Sequence, residues 1–598
     1  MYQCIIIRKR NLLMAACILL LSSCLKEKKD MDDFRPDVSI RSQSSIRLFN
    51  FYIASPLNVM VNNVPLTSFG SQGGTPIGLS LFPKGAWSTS ENGSPFVIPM
   101  SLLDKNGRAR VQLKTAFKDL LDTVLEHSYS KPIDFYVTSD GALRILPRQN
   151  TPPASPDHFR LRIIHLGQAN DPFGLGRPMT LTYADGSLVH NALTGIAAGT
   201  NSEYIEIPYG AYQFKLFSGG GTSPDFEKQL AEYPMVPLYD GCAPGVIQPQ
   251  QGISPKLRTF KPGGVYCIIV TDAYQGYWDC SRFNPVSFRL NSYRVVTEYD
   301  PGVNYSYARM HAVNALPGKS IHVKVDGTEL GSELPYVGSQ FTGKPILADY
   351  RIFVQGEHHV EASDDKGRVL AAATIKLYPY DNHTIWVHEK PDGTTGLLFA
   401  ANDMTGSIYM DEYLPNPDNS RPGPDDGTNG LGRLATIPYV SQSRFLNLSP
   451  DLPYATFMGD HNMLPNHQPE TSIYGATVNL ASGLLPEKNP YILYLGVKFA
   501  SFSATNFFYP VVPGARLVPD QIRVYRSSLS PVGVPGELLP QVVPLQVRRA
   551  YTANPRMYLE NTAPIMENGV YSVALVGRTY RAGTQQEKAR IIIIKHNN

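Results

Sequence analysis

The stretch FRLRIIH at residues 159–165 alternates polar and apolar side chains, and three other stretches of the chain share this pattern. They are SIRLFNF at 45–51, YARMHAV at 307–313 and SRFLNL at 443–448. Alternation with a period of two is typical of a β-strand that buries one face. Openings of one kind at four places along the chain predict four β-rich units.

In each unit a second alternating segment follows the opening strand after a turn-rich gap. These segments are LNVMVNN at 57–63, MTLTYADG at 179–186, SIHVKVDG at 320–327 and ATFMGD at 455–460. Asp-Gly and Asn-Asn suit the tight turns that reverse a strand. Further strands are expected at 204–216 and 348–354, and closing strands at 264–270, 383–388 and 569–577. Short strands at this spacing predict an all-β chain of tandem immunoglobulin-like β-sandwich domains.

One segment of the first unit has a helical pattern instead. In LKTAFKDLLDTVL at 113–125 the apolar residues would share one face of a helix. They are Ala116, Phe117, Leu120, Leu121, Val124 and Leu125. The sequence therefore predicts one amphipathic helix near 113–125, packed on the first sandwich.

Gaps rich in Pro and Gly separate the predicted domains. The chain is long enough for several domains, each with its own core. The predicted units are 44–150, 158–298, 304–402 and 437–598, with a linker at 415–433 before the last.

Four short motifs resemble domain-of-unknown-function family 4397, which occurs in tandem in secreted and lipidated bacterial proteins. They are LSPD at 448–451, VDG at 325–327, PYGAY at 208–212 and GVYSV at 569–573. No single repeat carries all of them, and the first unit matches least well. The resemblance implies β-sandwich domains outside the cytoplasm and implies no reaction.

The N-terminus has the pattern of a secretory leader at residues 1–23. A basic patch precedes a short apolar run at 11–21, whereas about 20 residues are needed to span a bilayer. The run ends in LSSC, which resembles the lipobox of bacterial lipoproteins and makes Cys24 the predicted lipidation site. Acyl chains on Cys24 would anchor the protein to a membrane. The alternative is an ordinary signal peptide in which Cys24 is incidental.

Residues 24–43 are charged and are expected to form a solvated tether. The stretch resembles export signals of Bacteroidetes surface lipoproteins, and a plain hydrophilic spacer is the alternative. The expected location is the cell envelope, as an outer-membrane lipoprotein; whether it is surface-exposed stays open. The net charge of +3 falls to about zero without the cationic leader, so nucleic acid is not an expected partner.

Of six cysteines, Cys4 and Cys17 would leave with the leader and Cys24 would carry lipid. Cys242 and Cys280 lie in loop-like sequence and are the candidate disulfide of an oxidising compartment. Cys267 lies in a strand-like run and is expected to be a buried thiol. Three cysteines without a CxxC pair or clustered histidines make a poor zinc site.

Several segments partly match the patterns of phosphate or metal sites, but none of them predicts such a site. GSQFTGK at 338–344 has phosphate-loop spacing, but Pro345 replaces the hydroxyl residue and no helix follows. Residues 418–429 offer oxygen ligands without EF-hand spacing, which favours a linker over a calcium site. His358 and His359 alternate to opposite faces of a strand, so they cannot both join His383 and His388 in one cluster. No cofactor or metal is expected.

The segment AYQGYWDC at 273–280 is the candidate recognition loop. Its candidate ligand contacts are Tyr274, Tyr277, Trp278 and Asp279, because aromatic rings stack on sugars and carboxylates bind hydroxyls. Covering a hydrophobic surface or a domain interface is the alternative role of these rings. The leading hypothesis is a non-enzymatic lipoprotein that presents tandem sandwiches for binding or structural interaction with a glycan or protein. A glycan-binding lipoprotein of a polysaccharide uptake system and a hydrolase with an unrecognised site are the alternatives.

Overall fold

The computed structural model describes residues 43–52, 55–67, 87, 95–115, 117–149, 151–167, 176–219, 229–232, 255–279, 284–405, 407–409, 434–436, 440–459, 476–486, 491–495, 518–558, 566–580 and 583–598. The regular secondary structure of these residues consists almost entirely of strands, and the chain divides into two compact bodies, Met1–Arg148 and Gln149–Asn598. The prediction of an all-β fold with tandem sandwich-like modules is confirmed. No helix within the described ranges has both the length and the apolar character needed to span a membrane.

The first body contains module 1, which consists of two four-stranded sheets with orders β4-β1-β7-β8 and β3-β2-β5-β6. Its strands are β1 (Gln43–Asn50), β2 (Asn58–Val61), β3 (Val64–Pro65), β4 (Phe96–Pro99), β5 (Arg108–Lys114), β6 (Asp119–Glu126), β7 (Ile133–Val137) and β8 (Leu143–Pro147). A short 3-10 turn, Met100–Leu102, follows β4. Apolar residues from both sheets, among them Leu48, Val111 and Phe135, form one core.

The predicted helix at 113–125 is wrong, because this segment is the hairpin of β5 and β6. Leu113 pairs with Leu121 across the hairpin, and the Thr115 hydroxyl accepts hydrogen bonds from the amides of Phe117 and Lys118. A turn held by a threonine side chain competes with a helix. Phe117 is 93% exposed, so the apolar residues do not form the single buried face that a helix would need.

The second body begins with module 2. Its strands are β9 (His158–His165), β10 (Met179–Thr182), β11 (Ile205–Pro208), β12 (Gly210–Tyr212), β13 (Lys215–Ser218), β14 (Gln229–Glu232), β15 (Arg258–Phe260), β16 (Val265–Asp279) and β17 (Asn284–Tyr299). Seven of them form one sheet with the order β10-β13-β14-β17-β16-β9-β11, and β12 pairs with β15. A 3-10 turn, Asn191–Leu193, precedes β11.

Module 3 has two four-stranded sheets, β22-β18-β25-β26 and β20-β19-β23-β24. Its strands are β18 (Tyr307–Asn314), β19 (His322–Val325), β20 (Thr328–Glu329), β21 (Ile346–Leu347), β22 (Arg351–Val354), β23 (Gly356–Ser363), β24 (Val369–Leu377), β25 (Asn382–Glu389) and β26 (Thr395–Ala401). The one-turn helix α1 (Val337–Gln340) precedes β21. A separate pair, β27 (Ser407–Tyr409) and β28 (Leu434–Thr436), follows the module.

Module 4 completes the second body with the sheets β21-β37-β36-β29-β32 and β31-β30-β33-β34, and β35 pairs with β33. Its strands are β29 (Val440–Leu448), β30 (Tyr454–Gly459), β31 (Leu480–Ala481), β32 (Ile492–Leu495), β33 (Gln521–Leu529), β34 (Val532–Leu538), β35 (Leu545–Gln546), β36 (Gly569–Val576) and β37 (Arg590–Lys595). It also contains the one-turn helix α2 (Val547–Ala550) and a 3-10 turn, Pro555–Met557.

The same strand order recurs in the first sheet of every module. The opening strand lies parallel to the closing strand, in the pairs β1 with β7, β9 with β16, β18 with β25 and β29 with β36. In each case the closing strand then pairs antiparallel with the strand that follows it.

A polar residue near the end of each opening strand makes equivalent hydrogen bonds. These residues are Asn50, His165, Asn314 and Asn447, and each accepts a bond from the backbone amide two residues later. Their other polar atoms contact carbonyl oxygens of the following segment, such as Trp87 O in module 1 and Leu334 O in module 3. A buried side chain with satisfied bonds fixes where the chain leaves the sheet.

The sheets of modules 3 and 4 that contain the opening strands pack against each other. In β37, Ile591 and Ile593 lie in the core of module 4, whereas Ile592 and Ile594 lie in an intermodule core with Trp386. Because alternate residues of a strand point to opposite faces, β37 is buried on both sides. Short β21 of module 3 extends the same sheet by pairing parallel with β37.

Candidate functional site

Several predicted features lie outside the described residues. They are the leader, most of the tether, Cys24, Cys242, Cys280 and the linker at 415–433. Lipidation and the disulfide therefore stay predictions. Cys267 lies within the described part, in β16, and is buried as predicted.

The candidate recognition residues Tyr274, Tyr277, Trp278 and Asp279 all lie in β16, so the predicted loop at 273–280 is wrong for residues 273–279. Aromatic residues suit strands, and β17 satisfies the backbone of this segment by antiparallel pairing. The backbone partners of these four residues are Arg289, Val286, Pro285 and Asn284.

β16 pairs with β9 only as far as Val270, and β17 meets β14 only at Ser292 and Tyr293. Beyond these points, within the described part of the chain, residues 272–279 and 284–291 pair only with each other. We call this two-stranded extension the ribbon. The structure thus places all four predicted contact residues on one strand, in which positions 274 and 278 share one face and positions 277 and 279 share the other.

The histidines weighed for metal binding have separate partners. His358 contacts Asp326 at 2.7 Å, and His359 contacts Glu361 at 3.0 Å. His383 contacts Asp381, and His388 contacts a backbone carbonyl. Among the described residues no group of three or more His, Cys, Asp or Glu could hold a metal ion.

The phosphate-loop-like stretch at 338–344 is used for packing. It begins inside the single turn of α1, and the carbonyl oxygen of Gly338 accepts a hydrogen bond from Arg590 at 2.6 Å. A carbonyl oxygen turned toward a cation does not favour phosphate, which binds amide N–H groups.

A buried cluster of ionisable groups lies where modules 2, 3 and 4 meet around β37, which we call the central junction. Glu567 is its only carboxylate among the described residues and bonds Lys215 of module 2 at 3.0 Å and Lys595 at 3.1 Å. The Tyr558 hydroxyl donates to the same carboxylate at 2.6 Å, and the backbone amide of Ala553 also donates to it at 3.2 Å. All three charged side chains are at most 3% exposed.

The carboxylate of this cluster keeps its charge although it is buried. Burial alone would raise the pKa of Glu567, but the two lysine ammonium groups outweigh burial and lower it to about 2. Burial lowers the pKa of Lys215, and Glu567 opposes that change. An ion pair out of water is stable only if its remaining hydrogen bonds are made. Lys215 meets this condition with further bonds to Ala184 O at 2.7 Å and Tyr558 at 3.1 Å.

A second part of the central junction consists of two buried histidines. His311 bonds Thr384 at 2.7 Å, and His596 contacts Ser572 at 2.8 Å and Tyr350 at 3.2 Å. Their ring centroids lie 5.6 Å apart. His311 and Thr384 belong to module 3 and Ser572 to module 4, so this network crosses the module boundary.

Cations near these rings disfavour a further positive charge. Burial and then Arg309 lower the pKa of His311 to about 3. Burial, then His311 and Arg444, lower the pKa of His596 well below its usual range. Both imidazoles are therefore neutral at pH 7.

The contact of Ser572 with His596 does not form a nucleophile pair. The Tyr350 hydroxyl accepts a bond from Asn402 and lies 3.2 Å from Nδ1 of His596. Nε2 of the same ring lies 2.8 Å from the Ser572 hydroxyl, and the ring tautomer decides which of the two donates. Ser572 is also completely buried, out of reach of a substrate.

A second serine–histidine contact, in module 1, is also structural. Nδ1 of His127 accepts a hydrogen bond from the backbone amide of Ser45 at 2.9 Å. The Ser45 hydroxyl accepts a hydrogen bond from the backbone amide of Ser128 at 2.9 Å. These bonds join β1 to the segment after β6. Within the described residues, no carboxylate orients the imidazole in either contact.

No sequence motif indicates the central junction, although Lys215 stands between apolar residues of a predicted strand, which is a signal for a buried charge. The resemblance of the LSPD motif does not indicate a role for Asp451, whose carboxylate accepts bonds from the amides of Thr579 and Tyr580 at 2.8 Å each. The motif thus fastens the chain after the closing strand.

A scan against protein-family models and a search of curated proteins found no match for this chain. The resemblance to the family of tandem lipoprotein domains stays a prediction.

Glu567→Gln is expected to lower the free energy of unfolding of the second body by about 3–5 kcal/mol, because it leaves two buried lysines without a counter-charge. Urea unfolding followed by circular dichroism measures the change. The control is Glu357→Gln, the same replacement at an exposed position of β23. Equal unfolding curves for the two variants would contradict this role of Glu567.

The free energy of unfolding of the second body is expected to decrease as the pH falls below about 6.5, the pKa of histidine in an unfolded chain. His311 and His596 have lowered pKa values in the folded state, so their contribution is complete above 6.5 and decreases as acid protonates the unfolded chain. Urea midpoints measured between pH 8 and 5 test this, because Glu567 affects the free energy of unfolding only at lower pH. His311→Gln should flatten the profile, and His359→Gln, at an exposed position, should not. A profile that is flat in the unmodified protein would refute the expectation.

Proposed function

We propose that this chain is a lipid-anchored cell-envelope protein, attached through Cys24, whose tandem β-sandwich modules present a non-catalytic surface for binding or structural interaction. The lipobox-like LSSC after a basic and apolar leader supports the anchor. The outer membrane is the proposed location, and the lipid is the proposed contact with it. A glycan or a protein is the proposed ligand, and nucleic acid is not.

One observation supports the non-catalytic part of the proposal. Buried ionisable groups of the central junction bond across module boundaries, as Glu567 does with Lys215 and as His596 does with Tyr350. Groups that are buried and bonded in this way hold modules together and do not meet a substrate. A compact three-module body suits a protein that displays binding elements.

Cys24→Ala is expected to abolish lipid attachment, because no other side chain in the lipobox can form the thioether. Cells are grown with an azide-tagged palmitate, and the label on the immunoprecipitated protein is measured. Cys17→Ala, which removes a cysteine of the leader and leaves LSSC unchanged, is the matched control. The anchor is refuted if Cys24→Ala keeps the label of the unmodified protein.

Glycan binding by the ribbon is the second candidate function. The supporting observation is that Tyr274, Tyr277, Trp278 and Asp279 lie on one two-stranded element that extends beyond its neighbours in the sheet. A backbone that is hydrogen-bonded to a neighbouring strand makes such an element a firmer support for ligand contacts than a loop. An uptake system for polysaccharides is the setting proposed for it.

The double variant Tyr277→Ala, Trp278→Ala is expected to lose binding on a glycan array, because stacking of aromatic rings on sugars supplies much of the contact. Tyr305→Ala, at a 72% exposed tyrosine of the same body, is the control and should bind normally. Unchanged binding of every glycan by the double variant would remove the ribbon from consideration. No described observation favours the hydrolase alternative.

A further inference from the structure

A cavity of about 490 Å³ lies on module 4, beside the start of β33 and the one-turn helix α2. Its lining residues are Asp520, Gln546, Arg548, Arg549, Thr552 and Pro555. This volume falls within the range of small-molecule sites. The cavity belongs neither to the central junction nor to the ribbon.

Polar groups in this cavity keep unused hydrogen-bonding capacity. The side chains of Asp520, Gln546 and Arg548 make no hydrogen bond or ion pair with any part of the chain that the structure describes. Arg549 donates one N–H to the Thr342 carbonyl oxygen at 3.2 Å and keeps its other donors. Elsewhere in the second body arginines such as Arg162 and Arg578 are paired with carboxylates.

The backbone under the cavity is firmly held. The amide of Val547 donates to Asp520 O at 3.1 Å, and the amide of Tyr551 donates to Val547 O at 3.0 Å. Val547 and Ala550 are buried, which fixes the turn that carries Arg548 and Arg549. Nearby, Asn554 donates to Asp185 O of module 2 at 2.9 Å. A backbone that is already fixed does not need to be ordered when a ligand binds, which lowers the entropy cost of binding.

The charges of the lining residues limit the ligand class. Two guanidinium groups favour a carboxylate, which arginine binds with two parallel hydrogen bonds. The carboxylate of Asp520 would repel a densely charged polyanion such as nucleic acid. Asp520, Gln546 and Thr552 can instead bond hydroxyl groups.

We propose that this cavity binds the carboxylate and neighbouring hydroxyl groups of an acidic sugar of the uronate class. Arg548 and Arg549 hold the carboxylate, and Asp520 and Gln546 hold ring hydroxyls. The proposal requires neither the lipid anchor nor the ribbon.

The test is calorimetric titration of the full chain with trigalacturonate, with its methyl ester and with inorganic sulfate. Trigalacturonate should bind, and the ester, which lacks the charges, should bind at least about tenfold more weakly. The double variant Arg548→Ala, Arg549→Ala should lose at least about tenfold in affinity for trigalacturonate. Arg556→Ala, at an exposed arginine outside the cavity lining, is the matched control and should leave the affinity unchanged.

Three results would overturn the proposal. One is no heat of binding with millimolar trigalacturonate. Another is an equal loss in the Arg556→Ala control, which would indicate general attraction to a basic surface. The third is sulfate binding as strong as trigalacturonate binding, which would indicate a simple anion site without sugar recognition. Because the ribbon variants leave the cavity intact, their binding of trigalacturonate separates the two sites.

Discussion

The buried carboxylate of Glu567 forms ion pairs with two lysines, Lys215 and Lys595, at the place where three modules meet. Removing ions from water costs several kcal/mol for each ion, and only a complete set of partners offsets that cost. Lys215 comes from module 2, Lys595 ends β37 of module 4, and Glu567 lies two residues before β36 of the same module. The arrangement is therefore stable only when modules 2 and 4 are in contact, which makes their contact specific as well as favourable.

The same strand that supplies Lys595 is also buried on both faces. β37 contributes Ile591 and Ile593 to the core of its own module and Ile592 and Ile594 to the core shared with module 3. The residues that follow it continue the contact, because His596 bonds Ser572 and Asn597 bonds Gln213 of module 2 at 3.1 Å. Apolar burial supplies most of the free energy here, and the polar bonds fix the register.

This arrangement bears on function because it divides the ionisable residues into two groups. Glu567, His311 and His596 serve cohesion and are inaccessible. Arg548, Arg549 and Asp520 are exposed and line a cavity, and the side chains of Arg548 and Asp520 have no bonded partner within the described residues. The proposed display role would use the exposed group, whereas the buried group maintains the contacts between modules.

Strand content and the order of opening strands could be predicted because alternation of polar and apolar residues is a local property. The segment at 113–125 could not be assigned correctly, since its apolar residues fit a helical period, and the Thr115 turn and the core of module 1 select a hairpin. The segment at 273–279 was predicted to be a loop. Its pairing with β17, which lies later in the chain, makes it a strand. Contact between Lys215 and Glu567 spans 352 residues of sequence, and no local pattern encodes such a distance. Composition and alternation thus specify strands, whereas burial from several modules at once selects which charges meet.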